Sequence, residues 1–136
     1  MTATYEGGCL CGAVRYRVTR APLLVEYCHC GMCRRASGAP VTVWLDVPTS
    51  ALVWLGRPPT FHDSSPDARR GFCPHCGGAL VFQPLDGRPQ VSLTAASLDD
   101  PARWVPQHHI HDADRVPWLG LADDLPRYPG PLPPPG

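Results

Sequence analysis

The 136-residue chain predicts a mainly β fold built of short strands. Three observations point there. Thirteen glycines and eighteen prolines cut the chain into short segments. Those segments are rich in Val, Leu, Trp, Tyr and Phe, residues that fit a pleated, half-buried surface. Seven cysteines fall into three tight clusters, C-L-C, C-H-C-G-M-C and C-P-H-C, which read as metal ligands stapling a small, loop-rich chain.

Taken in order, Gly7 and Gly8 lead into the tight turn Cys9-Leu10-Cys11-Gly12. A strand follows over residues 13–19, where Arg15 and Arg17 share one face and Val14, Tyr16 and Val18 the other. Further strands are expected over residues 24–27, 40–45, 52–55, 69–72, 79–83, 90–95 and 108–111. Helical turns are expected at 32–36, after the second cysteine cluster, and at 101–104. Asp99-Asp100-Pro101 reads as a turn or helix start, not as a catalytic pair of carboxylates. Trp118 and the other tryptophans read as core or cleft walls. On a strand, His109 and His111 share a face and His108 points the other way. These three histidines alone do not make a third metal site.

The length fits one compact domain, residues 1–128, followed by a Pro/Gly-rich tail over 129–136. Proline lacks a backbone donor, so the tail is expected to be extended or disordered. No apolar run approaches the roughly 18 residues of a membrane helix, and nothing resembles a signal peptide. A soluble, cytoplasmic protein is expected. Twelve basic and twelve acidic residues cancel, so the charge balance gives no reason to expect nucleic acid or a membrane surface as partner. Oligomeric state is left open.

All twelve basic residues are arginines, and asparagine is absent too. Schiff-base, pyridoxal-phosphate and P-loop lysine chemistry is thereby excluded, as is a papain-type Cys-His-Asn arrangement. Cysteines separated by one residue do not suit ordinary disulfides, and cytosolic thiols stay reduced. Ligation of zinc explains the clusters better, since four thiolates complete its tetrahedron.

Cys73-Pro74-His75-Cys76-Gly77-Gly78 has the spacing of a zinc knuckle, and Cys9-Leu10-Cys11-Gly12 is a tighter version. Spacing leaves the partition open. Cys30 and Cys33 with Cys73 and Cys76 make an ordinary ribbon, leaving Cys9, Cys11 and Cys28 over. Joining Cys9 and Cys11 with Cys73 and Cys76 is preferred, because Cys28, Cys30 and Cys33 then stay together. A zinc with three protein ligands keeps a free position, the mark of a catalytic site. Should His29 or His75 close that position, all seven cysteines would serve the fold. Both histidines otherwise read as loop residues.

Three stretches, Gly8 to Tyr16, Cys28 to Gly38 and Phe72 to Gly77, resemble the glutathione-dependent formaldehyde-activating enzyme family, which includes centromere protein V. The likeness continues through Leu98-Asp99-Asp100-Pro101, Pro106 to Ile110, and Trp118 with Asp123 and Asp124. It implies a mainly antiparallel β-tent around a structural zinc held by Cys9, Cys11, Cys73 and Cys76. It also implies a second zinc, open to partial occupancy, on Cys28, Cys30 and Cys33, which would be the catalytic ligands. The implied reaction is that of a carbon–sulfur lyase of the S-(hydroxymethyl)glutathione synthase type, joining a small thiol, glutathione, to formaldehyde. Ala95-Ala96 stands where the family pattern has Ala-Gly. Relatives of the same fold that bind macromolecules imply the alternative, a non-catalytic zinc-stapled binding module.

Three thiolates weaken such a zinc as a Lewis acid, so it suits delivery of a thiolate to an aldehyde better than activation of water. Arg34 and Arg35 follow the third ligand, and guanidinium forks suit the carboxylates of a peptide-like thiol; one of the two is expected to point inward. His109 is expected to line the cleft as a substrate contact and proton carrier.

Overall fold

The computed structural model describes residues 4–134. Among them, ten strands fall into two sheets. The smaller sheet has the order β1-β2-β5, with β1 over Tyr5–Gly8, β2 over Arg15–Val18 and β5 over Leu52–Trp54. The larger has seven strands: β10 (His108–Ile110), β3 (Leu24–Cys28), β4 (Thr42–Pro48), β9 (Gln90–Thr94), β8 (Ala79–Pro84), β7 (Ala68–Phe72) and β6 (Thr60–Ser65), in that order. All named pairings are antiparallel except β10 with β3. The one α-helix among the described residues, α1, runs Gly31–Ser37 between β3 and β4. The fold is mainly β, with short antiparallel sheets, as the sequence predicts.

Period-two alternation gives the large sheet two different faces. On one, Val25, Leu45, Val47, Val91 and Leu93 are buried with Val14, Tyr16 and Val18 around β2. This is the main core. The other face carries Leu24, Glu26 and Cys28 from β3, opposite Asp46, Trp44 and Thr42 from β4. It continues through Ser92 and Thr94 of β9 to Phe82 of β8 and Arg70 of β7. Helix α1 lies over this face, Ser37 Oγ being 3.3 Å from Thr42 Oγ1. Strand β4 is therefore buried on both sides.

Two strands were not expected. β1 contains two glycines that read as a turn; at Gly7 a side chain would collide with the Tyr16 hydroxyl and the Ser97 carbonyl, so glycine serves close approach within a strand. β6 has no apolar alternation because it is an exposed edge, held by β7 alone. Residues 101–104 form turns instead of a helix, and the helical turn lies earlier, at Ala95–Ser97. Asp99 pairs with Arg15 through two contacts of 2.8 and 2.5 Å. Trp118 is 74% exposed and belongs to neither core nor cleft.

The start of the proline-rich end takes part in backbone hydrogen bonding with the residues at and after β10. The Tyr128 N–H donates to His109 O at 2.9 Å, and His111 N–H donates to Gly130 O at 2.8 Å. Proline removes donors but leaves carbonyl acceptors, and the end of β10 uses them. Pro131 and Leu132 then border a large cavity. The part of the tail expectation covering Pro135 and Gly136 lies outside the described residues. Among the described residues, no helix is long and apolar enough to cross a membrane.

Leu45 is fully buried in the main core. Leu45→Ala is expected to lower unfolding free energy by about 2–5 kcal/mol, read from urea unfolding curves.

Candidate metal centres

Two turns that are 62 residues apart bring the first cysteine group together. Gly12 and Gly77 adopt φ values of 82° and 75°, the left-handed region that lets each turn reverse directly after its ligands. The sulfurs of Cys9, Cys11, Cys73 and Cys76 lie within 4.8 Å of one another. Cys9 Sγ to Cys11 Sγ and Cys11 Sγ to Cys73 Sγ are both 3.7 Å. Tetrahedral zinc with bonds of about 2.3 Å requires sulfurs about 3.8 Å apart, so the residues fit the ion. Val14 N–H donates to Cys9 Sγ at 3.3 Å, and His75 N–H and Cys76 N–H donate to Cys73 Sγ at 3.3 and 3.4 Å. Against the cost of burial, Val14 N–H and the neighbouring sulfurs bring the Cys9 thiol down to about 6. Arg57 Nη1 donates to His75 Nε2 at 2.6 Å, outside the sulfur group.

The second group is assembled locally. β3 ends at Cys28, and Cys30 caps α1 by accepting from Cys33 N–H at 3.3 Å. Cys33 is the buried residue of the helix, 3.6 Å from Cys28 sulfur to sulfur. Among the described residues no fourth Cys, His, Asp or Glu joins this group. Without a metal the three thiols cannot all ionise. Hydrogen bonds with Cys28 and Cys30, then Arg70, hold Cys33 far below the ordinary thiol value, while the same sulfur contacts and burial push Cys28 far up.

All three sulfur-bearing residues border a cavity of about 1080 Å³ on the face of the large sheet that bears Cys28. Arg34 and Arg35 both border it, where one was expected. Arg70, which sequence reading missed, sets Nη1 and Nη2 at 3.7 and 3.6 Å from Cys33 Sγ. Its signal was present only as a position in β7, since nothing local relates residue 70 to residue 33. The four-sulfur group does not border the cavity.

His109 needs a different role from the one expected. It is 0% exposed and is not among the residues that border the large cavity. Its Nε2 lies 3.0 Å from Asp123 Oδ2 and its Nδ1 2.8 Å from His29 Nε2, with Tyr27 stacked on the ring. A carboxylate only accepts, so His109 Nε2 carries the proton, its Nδ1 accepts, and His29 Nε2–H donates. His29 Nδ1 is then a bare lone pair, and it is buried without a partner. Burial, then His109, lower the His29 pKa. His29, His109 and Asp112 have ligand atoms within 4.8 Å of one another; Asp112 Oδ1 stands 3.9 Å from His29 Nε2 and accepts from Arg127 Nη1 at 2.8 Å. β10 ends at Ile110 and His111 turns into the left-handed region at φ 52°, so His111 borders the cavity and does not share a side with His109.

Farther along the cavity wall, Glu26 Oε1 is 2.7 Å from His108 Nε2, and Ser92 Oγ donates to Asp46 Oδ1 at 2.5 Å. Burial pushes Asp46 up to about 6 despite the Ser92 hydrogen bond, and the Glu26 charge adds to the rise.

The structure is that of a small β protein with two cysteine groups that could each hold a metal ion, one of four sulfurs and one of three beside a cavity. The chain belongs to the family described as glutathione-dependent formaldehyde-activating enzyme, whose model matches residues 4–114. It is 36% identical over 115 residues to a Halomonas elongata protein provisionally named a glutathione-dependent formaldehyde-activating enzyme, covering 78% of this chain and 72% of that one. It is 30% identical over 98 residues to an uncharacterized lyase of Schizosaccharomyces pombe, covering 67% of this chain and 66% of that protein. The chain thus spans about two thirds of the yeast relative's length. A crystal structure of a Rhodobacter sphaeroides protein shares the fold, with TM-score 0.57, 24% identity, and coverage of 69% of this chain and 87% of that one.

Two outcomes follow from these contacts. His109→Ala removes the acceptor that holds His29 and the loop between Cys28 and Cys30. Elemental analysis is expected to show metal lost from the three-sulfur group and kept by the four-sulfur group. Asp46, raised from 3.8 to about 6, makes the folded state bind more protons than the unfolded one in that window. Its contribution to stability therefore falls as pH rises from about 4 to 6, by up to about 3 kcal/mol. Asp46→Asn is expected to remove that slope, measured as the difference between parent and variant unfolding curves across pH.

Proposed function

We propose that the protein is a zinc-dependent carbon–sulfur lyase acting on a thiol–aldehyde adduct, with glutathione and formaldehyde or a related pair as reactants. The observation that carries this reading is the three-sulfur group at the wall of the large cavity, without a fourth protein ligand among the described residues. Cys9, Cys11, Cys73 and Cys76 hold a structural zinc. Cys28, Cys30 and Cys33 hold the catalytic one, for two per chain. The family and the names of the relatives support a lyase; the thiol and aldehyde are the reading offered here.

Zinc held by three thiolates supplies an open coordination position and favours the thiolate form of an incoming thiol. Sulfur then adds to the aldehyde carbon: the S–C bond forms, the carbonyl π bond opens, and the oxygen takes up the proton the thiol lost. Lyase direction is the reverse, with the hydroxyl proton leaving as the C–S bond breaks.

The chain's own residues bind and orient. Arg34 and Arg35 border the cavity beside the sulfurs and present forks for the carboxylates of a peptide-like thiol. Arg70 sets its charge against Cys33 and offsets the negative charge collected there. His109 and Asp123 hold His29, and with it the loop that aims Cys28 and Cys30 at one point. Seven free thiols suit a reducing compartment, and we place the protein in the cytoplasm.

A non-catalytic binding module would fill the second group with a fourth protein ligand, and none of the described residues supplies it. Cys30→Ser is expected to lower zinc from two per chain to one and to abolish thiol-plus-aldehyde turnover. Unchanged turnover after loss of one zinc would sink the proposal. Cys73→Ser, in contrast, is expected to lose the folded state along with its zinc, visible in the circular dichroism spectrum.

A further inference from the structure

The floor of the large cavity is the face of the seven-stranded sheet that bears Cys28, so strand register acts as a ruler. Cys28 stands opposite Thr42, Glu26 opposite Trp44, and Leu24 opposite Asp46. Asp46 is thus four residues along β4 from the partner of Cys28, about 13 Å at roughly 3.3 Å per residue. Both residues border the same cavity.

Asp46 is 7% exposed and has no ion-pair partner among the described residues. Ser92 supplies the hydrogen bond to Oδ1, and among those residues Oδ2 accepts none. The neighbouring charges are already matched: Glu26 faces His108 at 2.7 Å, and Arg88 is held by Asp86 at 2.6 Å. A carboxylate buried this far without a counter-charge is costly in the free protein. A ligand that brings the counter-charge recovers that cost. At the sulfur end Arg70 sets its guanidinium 3.7 and 3.6 Å from Cys33 Sγ, and Arg34 and Arg35 border the same cavity.

We propose that Asp46 is the specificity-determining residue of this cavity, binding an ammonium group at the far end of a peptide-sized thiol whose sulfur lies at Cys28, Cys30 and Cys33. This rests on reading the cavity as a thiol site. The ruler sets the ligand's size. In free cysteine the ammonium and sulfur are three bonds apart and cannot span the distance. In a γ-glutamyl-cysteinyl thiol the ammonium and sulfur are eight bonds apart, on the order of 9 Å when extended. A metal–sulfur bond of about 2.3 Å and an N–O contact of about 2.8 Å complete the reach.

The test is equilibrium binding by titration calorimetry, with zinc-loaded protein and no aldehyde, to glutathione and to N-acetylglutathione, which lacks the ammonium charge. The parent is expected to bind glutathione at least tenfold more tightly. Asp46→Asn should bind the two alike, whereas Ser92→Ala, which keeps the charge, should retain the preference. Equal affinities in the parent overturn the assignment without need of any variant, as does an Asp46→Asn protein that still discriminates. Failure to bind either thiol overturns it too. A separate turnover assay tests the underlying reading: turnover without discrimination removes Asp46 from recognition but leaves the lyase reading standing. Discrimination without turnover does the reverse.

Discussion

The fold depends on drawing four sulfur atoms from two distant turns to one point. Cys9 and Cys11 leave the end of the small sheet, while Cys73 and Cys76 leave the end of β7 in the large one. Joining them fixes the small sheet against the large one and closes the main core between them. Chain closure over this length has a high entropic cost, and a set of sulfurs spaced for one ion is an efficient way to offset it. The backbone N–H groups aimed at Cys9 and Cys73 show that the turns themselves are shaped around the sulfurs.

Once the two sheets are docked, the large sheet has one face left. Its residues mix polar side chains (Glu26, Asp46, Ser92, Arg70) with Leu24, Trp44 and Phe82 because that face is not packed on the main core, and β3 delivers Cys28 to it by simple alternation. α1 then brings Cys30 and Cys33 down onto the same face. The second sulfur group and the cavity wall are thus products of the same strand register. A one-residue slip of β3 would turn Cys28 into the core and expose Val25 or Tyr27 in its place.

The two groups differ in what surrounds them, and this difference bears on function. The first sits between turns and borders no large cavity, while the second stands between cationic side chains and open volume. Buried histidines support the second group from behind. His109 contributes to the site without reaching it, which explains why a residue of conspicuous chemistry is fully enclosed.

Much of this was legible in the sequence. Cysteine spacing marked the sulfur groups because ligands one or two residues apart must face a common point, whatever the fold. Alternation located β2, since a half-buried strand writes its period into the chain, while β4 and β9 were marked by apolar, β-branched composition between turn residues. The partition of seven sulfurs into four and three was only a preference, because it depends on which turns meet across 62 residues. Arg70, Glu26 and Asp46 carried no local signal: each is an ordinary strand residue until register places it on the face that bears Cys28. The burial of His109 and the hydrogen-bonded carbonyls of the proline-rich segment carried no local signal for a related reason, since burial and backbone acceptance are set by what packs alongside. Local spacing and periodicity determined the ligands and most strands; which side chains share a cavity was decided only when the sheets paired, because that proximity is a property of register and docking and not of sequence separation.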